Sequence, residues 1–371
     1  MAKKDGKIRY AVVGLGGIAQ IAVLPAFQHA ENSQLTALVS GDPTKQKKLA
    51  ARYKIQSVYS YERYNACLSS GEVDAVYIAV PNHLHADLTI AAARAGVHIL
   101  CEKPMAVTED ECRSMIAATQ QAKVKLMIAY RLHFEEGNLE AIRIAQSGRI
   151  GEVRVFNSVF TQQVHAGNVR LRESFGGGPL EDMGIYCINA ARYLFRDEPT
   201  EVFAFSSRET DSRFKEVDEM TAAILRFPQD RLATFICSFG ADPVSNYTIV
   251  GTKGSLRVEP GYEYQTEIRH YLTIKEKTKE KVFPKRDQFA SELVYFSDCI
   301  LKNKELEPSG EEGLADVQVI RALRKSGELN APAKLVPVPK TMRPTSELEI
   351  ERPPIRKPPK LIHAKTASGE S

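Results

Sequence analysis

A chain of 371 residues is long for one domain and suited to two, and its 43% apolar and 26% charged residues can build two cores beneath a charged surface. The formal charge of +4 belongs to residues 331–371, which carry eight Lys/Arg against four Asp/Glu; the neutral remainder offers no basic face for nucleic acid. No apolar run nears the roughly 20 residues of a membrane span, the basic start Met1–Lys7 lacks the apolar core of a secretory signal, and six scattered cysteines without Cys-x-x-Cys point to reduced thiols in a cytoplasm and no metal site.

From residue 7 to about 148, short β-branched runs alternate with helical segments. Ile8–Val13, Leu35–Val39, Ala75–Val80, Val97–Leu100 and Leu126–Ala129 read as strands, and Thr44–Tyr53, Ala86–Ala95 and Glu109–Ala122 as helices. This alternation predicts an α/β N-terminal Rossmann domain, a doubly wound parallel sheet, over residues 1–130. Pro25 falls inside the helix expected after the first glycines and predicts a break or kink there.

The first turn reads Gly14-Leu15-Gly16-Gly17-Ile18-Ala19. Gly14 allows a tight turn, Gly16 lets backbone approach a pyrophosphate, and Ala19 lets the helix pack closely on the strand. The helix start, from Gly17 and Ile18, then offers N–H groups and a positive dipole end to phosphate. Such a fingerprint is weak alone and gains from its place after a strand near the N-terminus. At the end of the second strand, an acid would bind the ribose 2′-OH of NAD and repel a 2′-phosphate. Here Ser40 takes that place, followed by Gly41 and, within reach of a phosphate, Lys45. Asp42 is the ribose ligand if the register slips by two. As an N-cap before Pro43 it has an ordinary role, which we prefer. The expectation is NADP, with NAD second.

Two further strand ends lie at the carboxyl edge, where open α/β sheets bind ligands. One carries Pro81, Asn82 and His85, which can line the nicotinamide and ribose; each histidine here, His83 or His85, is as readily a helix-start or packing residue. The other is Glu102-Lys103-Pro104. Glu102 can bond a ribose hydroxyl, and Lys103 can supply positive charge where an alkoxide develops. Pro104, in a trans or cis step, fixes where the lysine points.

After about residue 150 the pattern changes to strands divided by turns. Val153–Phe160, Glu201–Ser206, Met220–Arg226, Leu232–Ser238, Asn246–Val250, Ser255–Val258 and Tyr262–His270 read as strands, with turns at Pro228–Asp230 and Gly251–Gly254. Helices near Gln288–Leu301 and Gly310–Ser326 close the region. This predicts an α+β C-terminal domain with a large, mainly antiparallel open sheet over 131–330. Residues 331–371 hold eight of nineteen prolines and form a basic tail, extended or disordered, or an arm on a neighbouring subunit.

Within the second region, Gly176, Gly177 and Gly178 give a flexible approach to a helix started by Pro179, on which Asp182 and Tyr186 share a face. Oxidising an alcohol by hydride transfer requires loss of the hydroxyl proton. Tyr186 can take it if positive charge lowers the phenol from its usual pKa of about 10, and Asp182 can orient a sugar by accepting hydroxyl hydrogen bonds. The plain alternative is an acid and a core tyrosine at a helix start.

Glu102-Lys103-Pro104 together with Gly178-Pro179-Leu180-Glu181-Asp182-Met183-Gly184 resembles the glucose–fructose oxidoreductase/inositol dehydrogenase (Gfo/Idh/MocA) family over about residues 7–330. Many members carry His where this chain has Tyr186, and an acid where it has Asn189. With Asp182 and Tyr186 in place, and with Ala129-Tyr130-Arg131-Leu132-His133-Phe134, the chain is similar to the glucose–fructose oxidoreductase branch. The resemblance implies Lys103, Asp182 and Tyr186 as the catalytic group, Arg131 near cofactor or substrate, a sugar-like polyol substrate, and a homo-oligomer (dimer or tetramer) through the second-domain sheet. His165, Arg170, Arg172 and Tyr130 are candidate pocket walls. The expected activity is an NADP-dependent sugar oxidoreductase taking aldose C1 to a lactone or reducing a carbonyl sugar. The alternatives are a dehydrogenase of another ring carbon or of inositol, and a dinucleotide-binding regulator without chemistry.

Overall fold

The computed structural model describes residues 6–208, 211–340 and 342–369, and the chain divides into two compact units. One comprises the described residues up to Arg131, Asp287–Gly313 and those from Ile350 on; the other comprises Leu132–Arg286 and Leu314–Glu349.

The first unit is built on six parallel strands: β1 (Ile8–Val13), β2 (Ser33–Val39), β3 (Ser57–Tyr59), β4 (Ala75–Ile78), β5 (His98–Cys101) and β6 (Leu126–Ile128). Their order is β3-β2-β1-β4-β5-β6. The order reverses between β1 and β4, and ligands of such sheets bind outside the carboxyl ends at that point. The central strands are buried almost without interruption, as expected of a sheet covered on both faces. The edge strand β3 was not foreseen, because three half-buried residues carry no readable periodicity.

Pro25 does not break its helix. The helix over 17–26 widens into a π turn, Ala19–Val23, in which the Leu24 N–H reaches back five residues to the Ala19 carbonyl. The wider turn makes room for a residue that has no N–H to give. The helix Gln288–Leu301 forms as expected, but it packs on β1 and β2 in this unit. Its Ser297 hydroxyl bonds Tyr10 at 2.8 Å and Ser33 at 2.7 Å. Periodicity reveals a helix but not which sheet it returns to.

The second unit holds a nine-stranded sheet. Its strands are β7 (Val153–Thr161), β8 (Glu201–Ser207), β9 (Met220–Phe227), β10 (Arg231–Ser238), β11 (Val244–Gly251), β12 (Gly254–Val258), β13 (Ile268–Ile274), β14 (Lys277–Phe283) and β15 (Ala333–Lys334). They run β14-β13-β12-β11-β7-β10-β9-β8-β15, with only the β7–β10 pair parallel. Here the expected strand Tyr262–His270 is corrected to Ile268–Ile274, which turns into β14. β14 was not foreseen: its run Lys277–Lys281 is charged and shows no apolar alternation, yet charge is what keeps an edge strand from pairing with other chains. One face of this sheet buries Phe156, Phe235, Tyr247 and Ile249; the other exposes Val155, Ile224, Leu232, Ile236 and Val250. The helix Ile185–Phe195 packs on the buried face, and Gly184 permits the approach: a Cβ there would sit 2.8 Å from Leu180 and 3.2 Å from the Cys237 sulfur.

From Leu335 on, the described tail forms no strand and one short 3-10 helix, Ser346–Leu348. It lies on its own chain: Arg343 pairs with Glu198 at 2.9 Å in the second unit, and the Ile350 carbonyl accepts from Ser291 at 2.7 Å in the first. All six cysteines are buried and free, and no described helix is long and apolar enough to cross a membrane.

Candidate functional site

Each unit presents its own set of candidate side chains. In the first, Gly14 follows β1 with a φ of +93°, and a Cβ on it would lie 2.3 Å from the Ala79 carbonyl oxygen. Gly14 is therefore required by the turn and by the close passage of the chain leaving β4. Gly16 differs: a Cβ there would project into open space, the cradle a dinucleotide backbone approach calls for. Gly17 is again close-packed, 2.8 Å in the same sense from the Lys365 carbonyl of the tail. Ile18 follows in the first helical turn.

At the end of β2, Ser40 is buried, and its hydroxyl accepts from the Asp42 N–H at 3.2 Å. Gly41 passes against the Tyr61 ring. Asp42 is the N-cap of the helix Pro43–Tyr53: one carboxylate oxygen accepts from the N–H groups of Thr44 (2.8 Å) and Lys45 (3.1 Å), the other meets His363 at 3.1 Å. Those bonds, the Lys45 N–H foremost, hold its carboxyl below the usual range. An acid so engaged is a poor ribose ligand. Lys45 stands half-buried beside it.

At the next strand ends, Pro81 precedes the short helix Asn82–Leu84. His85 is fully buried, its ring nitrogens facing the carbonyls of Pro104 (2.9 Å) and Val80 (3.0 Å). It ties the two loops together and has no surface to offer a ligand. Glu102 accepts from the Tyr77 hydroxyl at 2.9 Å and is held to β4 by its own N–H on the Ile78 carbonyl. Burial pushes the Glu102 carboxyl up, opposed by Lys103, the Tyr77 hydroxyl and Arg131. The Lys103–Pro104 peptide is cis. Buried Arg131 donates to the Gln288 side-chain oxygen. Sequence reading missed Glu292, wholly buried, its carboxyl pushed well up by burial and then by Glu102. No motif marks it, since nothing in the spacing of the helix Gln288–Leu301 sets this acid apart.

In the second unit the glycines before Pro179 form a tight turn, not the flexible approach expected. A Cβ on Gly177 would lie 2.3 Å from the Arg170 carbonyl, and Gly178 has φ +139°. Buried Glu181 pairs with Arg324 at 2.5 Å, while Arg324 also donates to the Gly177 carbonyl. A π turn, Leu180–Gly184, then carries Asp182 just ahead of Tyr186 on the helix Ile185–Phe195. The Tyr186 ring stands edge-on to Phe160 (centroids 5.5 Å) and tilted against Tyr262 (5.9 Å). Tyr262 is itself pinned by Ser158 at 2.7 Å. Asp182 accepts from Arg170 Nε at 2.8 Å and from Gln162 at 3.4 Å. Asp182 chiefly raises the basicity of Arg170, with the phenols of Tyr264 and Tyr186 adding to it. Arg170 is thus a local cation beside the tyrosine. Of the other wall candidates, Arg172 pairs with Glu216 and His165 faces its neighbour's carbonyl, Ala166. Tyr130 is buried. Asn189 bonds His133 (2.8 Å) and Asp316 (2.8 Å) in the core.

Residues 8–130 match the family model described as an oxidoreductase family with an NAD-binding Rossmann fold, and residues 138–257 match the GFO/IDH/MocA C-terminal domain. The chain is 31% identical to the D-xylose 1-dehydrogenase [NADP(+)] of Haloarcula marismortui, over 89% of this chain and 94% of that one. Among solved structures it is similar to an aldose-aldose oxidoreductase from Caulobacter crescentus complexed with glycerol (37% identity, TM-score 0.85, 89% and 100% of the two chains). It is also similar to a 3-ketoreductase from Actinomadura kijaniata in complex with NADP and TDP-benzene (26%, 0.80, 86% and 98%).

Proposed function

This chain belongs to the Gfo/Idh/MocA oxidoreductase family, and we propose that it is an NADP-dependent sugar oxidoreductase that takes an aldose at C1 to its lactone and, in reverse, reduces a carbonyl sugar. A nicotinamide dinucleotide, when bound, supplies the C4 that accepts or returns the hydride. Gly16, Gly17 and Ile18 would hold its pyrophosphate, and Ser40, Gly41 and Lys45 the ribose with its 2′-phosphate. Pro81, Asn82, Glu102, Lys103 and Arg131 would serve the nicotinamide half, with His85 fixing the loops that carry them. Tyr186 takes the proton of the anomeric hydroxyl, and Lys103 offsets the negative charge that develops on that oxygen. Asp182 accepts a hydrogen bond from a neighbouring sugar hydroxyl, and Arg170 positions it. The observation that carries the reading is Tyr186 one turn from Asp182, with Arg170 bound to that acid and charging the phenol's surroundings.

The test is the rise of NADPH absorbance on mixing protein, NADP and a panel of aldoses, with the product identified as lactone by NMR. No reduction with any aldose rejects the assignment. The likeness to a 3-ketoreductase favours a second reading, oxidation at another ring carbon, which product regiochemistry distinguishes. The apolar stripe of Val155, Ile224, Leu232 and Ile236 supports a homo-oligomer through that sheet face, checked by sedimentation.

A further inference from the structure

The C-terminal tail meets the first unit at four successive points around its glycine turn and the helix Pro43–Tyr53. The Lys360 carbonyl accepts from Arg52 at 3.0 Å, on the helix that follows β2. Two residues on, the Ile362 backbone is read twice by one side chain: its N–H donates to the Gln20 amide oxygen at 2.8 Å, and its carbonyl accepts from the Gln20 amide nitrogen at 2.9 Å. His363 then meets Asp42 at 3.1 Å, and the Lys365 carbonyl closes on Gly17. The segment thus runs from the last turn of the helix Pro43–Tyr53, past Gln20 in the helix after the glycine turn, to the Asp42 N-cap and the glycine turn itself.

Gln20 shows that this path is built in. It is a wholly buried amide in the turn-following helix, with one further bond to the Leu15 carbonyl. A buried amide that loses its partners is costly, so the core is arranged around the presence of the Ile362 backbone. The same arrangement accounts for Gly17, where any side chain would collide with the strap. His363 also engages the Asp42 oxygen left over by the helix cap, so that both oxygens of this carboxylate are taken within the chain.

We propose that residues 360–369 are a strap that completes the adenosine end of the dinucleotide site and holds the cofactor between turnovers, with His363 as a positioning residue that favours NADP. This rests on the NADP reading of the previous subsection. A dinucleotide entering or leaving must wait for the strap to lift, so release is gated by the Gln20 clasp.

The experiment is stopped-flow fluorescence of NADPH bound to the full chain and displaced by excess NADP, repeated on a chain ending at Pro359, on Gln20→Leu and on His363→Ala. Shortening the chain or opening the clasp is expected to raise the release rate by about tenfold or more, and Kd with it. His363→Ala is expected to weaken NADP several-fold and NAD little. Release unchanged in both the shortened chain and Gln20→Leu overturns the strap, and so does tighter binding after shortening, which would mean the segment obstructs the site. If the shortened chain fails to melt cooperatively, Gln20→Leu and His363→Ala decide alone. A full chain that binds no dinucleotide removes the NADP reading itself, a failure seen before any variant is made.

Discussion

The two units position their functional groups by different means. In the first, contacts to the backbone do the work: Gly14 lies against the Ala79 carbonyl, the Asp42 carboxylate caps helix N–H groups, and the His85 ring holds the Val80 and Pro104 carbonyls beside Lys103. In the second, side chains do it: Tyr186 rests on Phe160 and Tyr262, and Asp182 is turned by Arg170. Backbone requirements restrict residue type at fixed spacing and so leave motifs. Packing requirements can be met by many partners from distant strands and leave almost none.

The largest effect expected is at the proton-transfer step. Tyr186→Phe keeps the ring between its aromatic neighbours and removes only the oxygen proposed to take the proton. Turnover should fall about 10²- to 10⁴-fold, with NADPH affinity within about twofold. Lys103→Met should lower turnover by a comparable factor. Steady-state rates beside fluorescence titration check both, and a Tyr186→Phe enzyme of near-normal turnover would detach the second unit from the chemistry.

The glycines sharpen the contrast within the first unit. Gly14→Ala forces a side chain onto a carbonyl at a φ rarely adopted by L-residues, and should cost about 3 kcal/mol of stability. Gly16→Ala meets nothing and should leave the melting temperature almost unchanged while weakening NADPH binding about tenfold or more. Thermal melts and titrations of the pair separate a fold glycine from a ligand glycine, which the sequence writes identically.

That pair also marks the limit of reading the chain unaided. The parallel first sheet, the helix Glu109–Ala122, and the Asp42 cap were legible because local spacing marks them. The NADP expectation, the family and the mainly antiparallel second sheet were legible too. Glu292, the hairpin β13–β14 and the return of the helix Gln288–Leu301 to β1 were not, because each depends on what arrives from far along the chain. Arg170 was only half visible: it was named as a candidate pocket wall, but its partner Asp182 lies in a turn whose shape the three glycines concealed.

Asp182 and Arg170 give the next smaller effect. Asp182→Asn keeps the size but loses the full charge, and should raise KM for the sugar about 10- to 100-fold with a smaller loss in turnover. Arg170→Met should resemble it if the arginine acts through the acid. A double variant no worse than either single one is then the expected result, and additive losses would show that Arg170 reaches the sugar on its own.

The smallest effect lies away from the site and tests the second unit's packing. His270 is buried against the Phe283 ring, and burial pulls its pKa from 6.5 to about 4, against the attraction of Glu140. The unfolded chain therefore binds a proton near pH 6.5 that the folded chain refuses until about pH 4. Stability from this group is complete above pH 7 and is lost as the pH falls through that window, by about 1 kcal/mol at pH 5.5. Buried carboxyls pushed up, such as Glu135 and Glu181, work in the opposite sense, gaining protons on folding at low pH. The total slope is thus a mixture, and the comparison of wild type with His270→Leu isolates one contributor. Urea unfolding at pH 7.5 and 5.5 should show the wild type losing about 1 kcal/mol more than the variant between the two. An equal loss in both would mean that the imidazole takes up its proton while still folded.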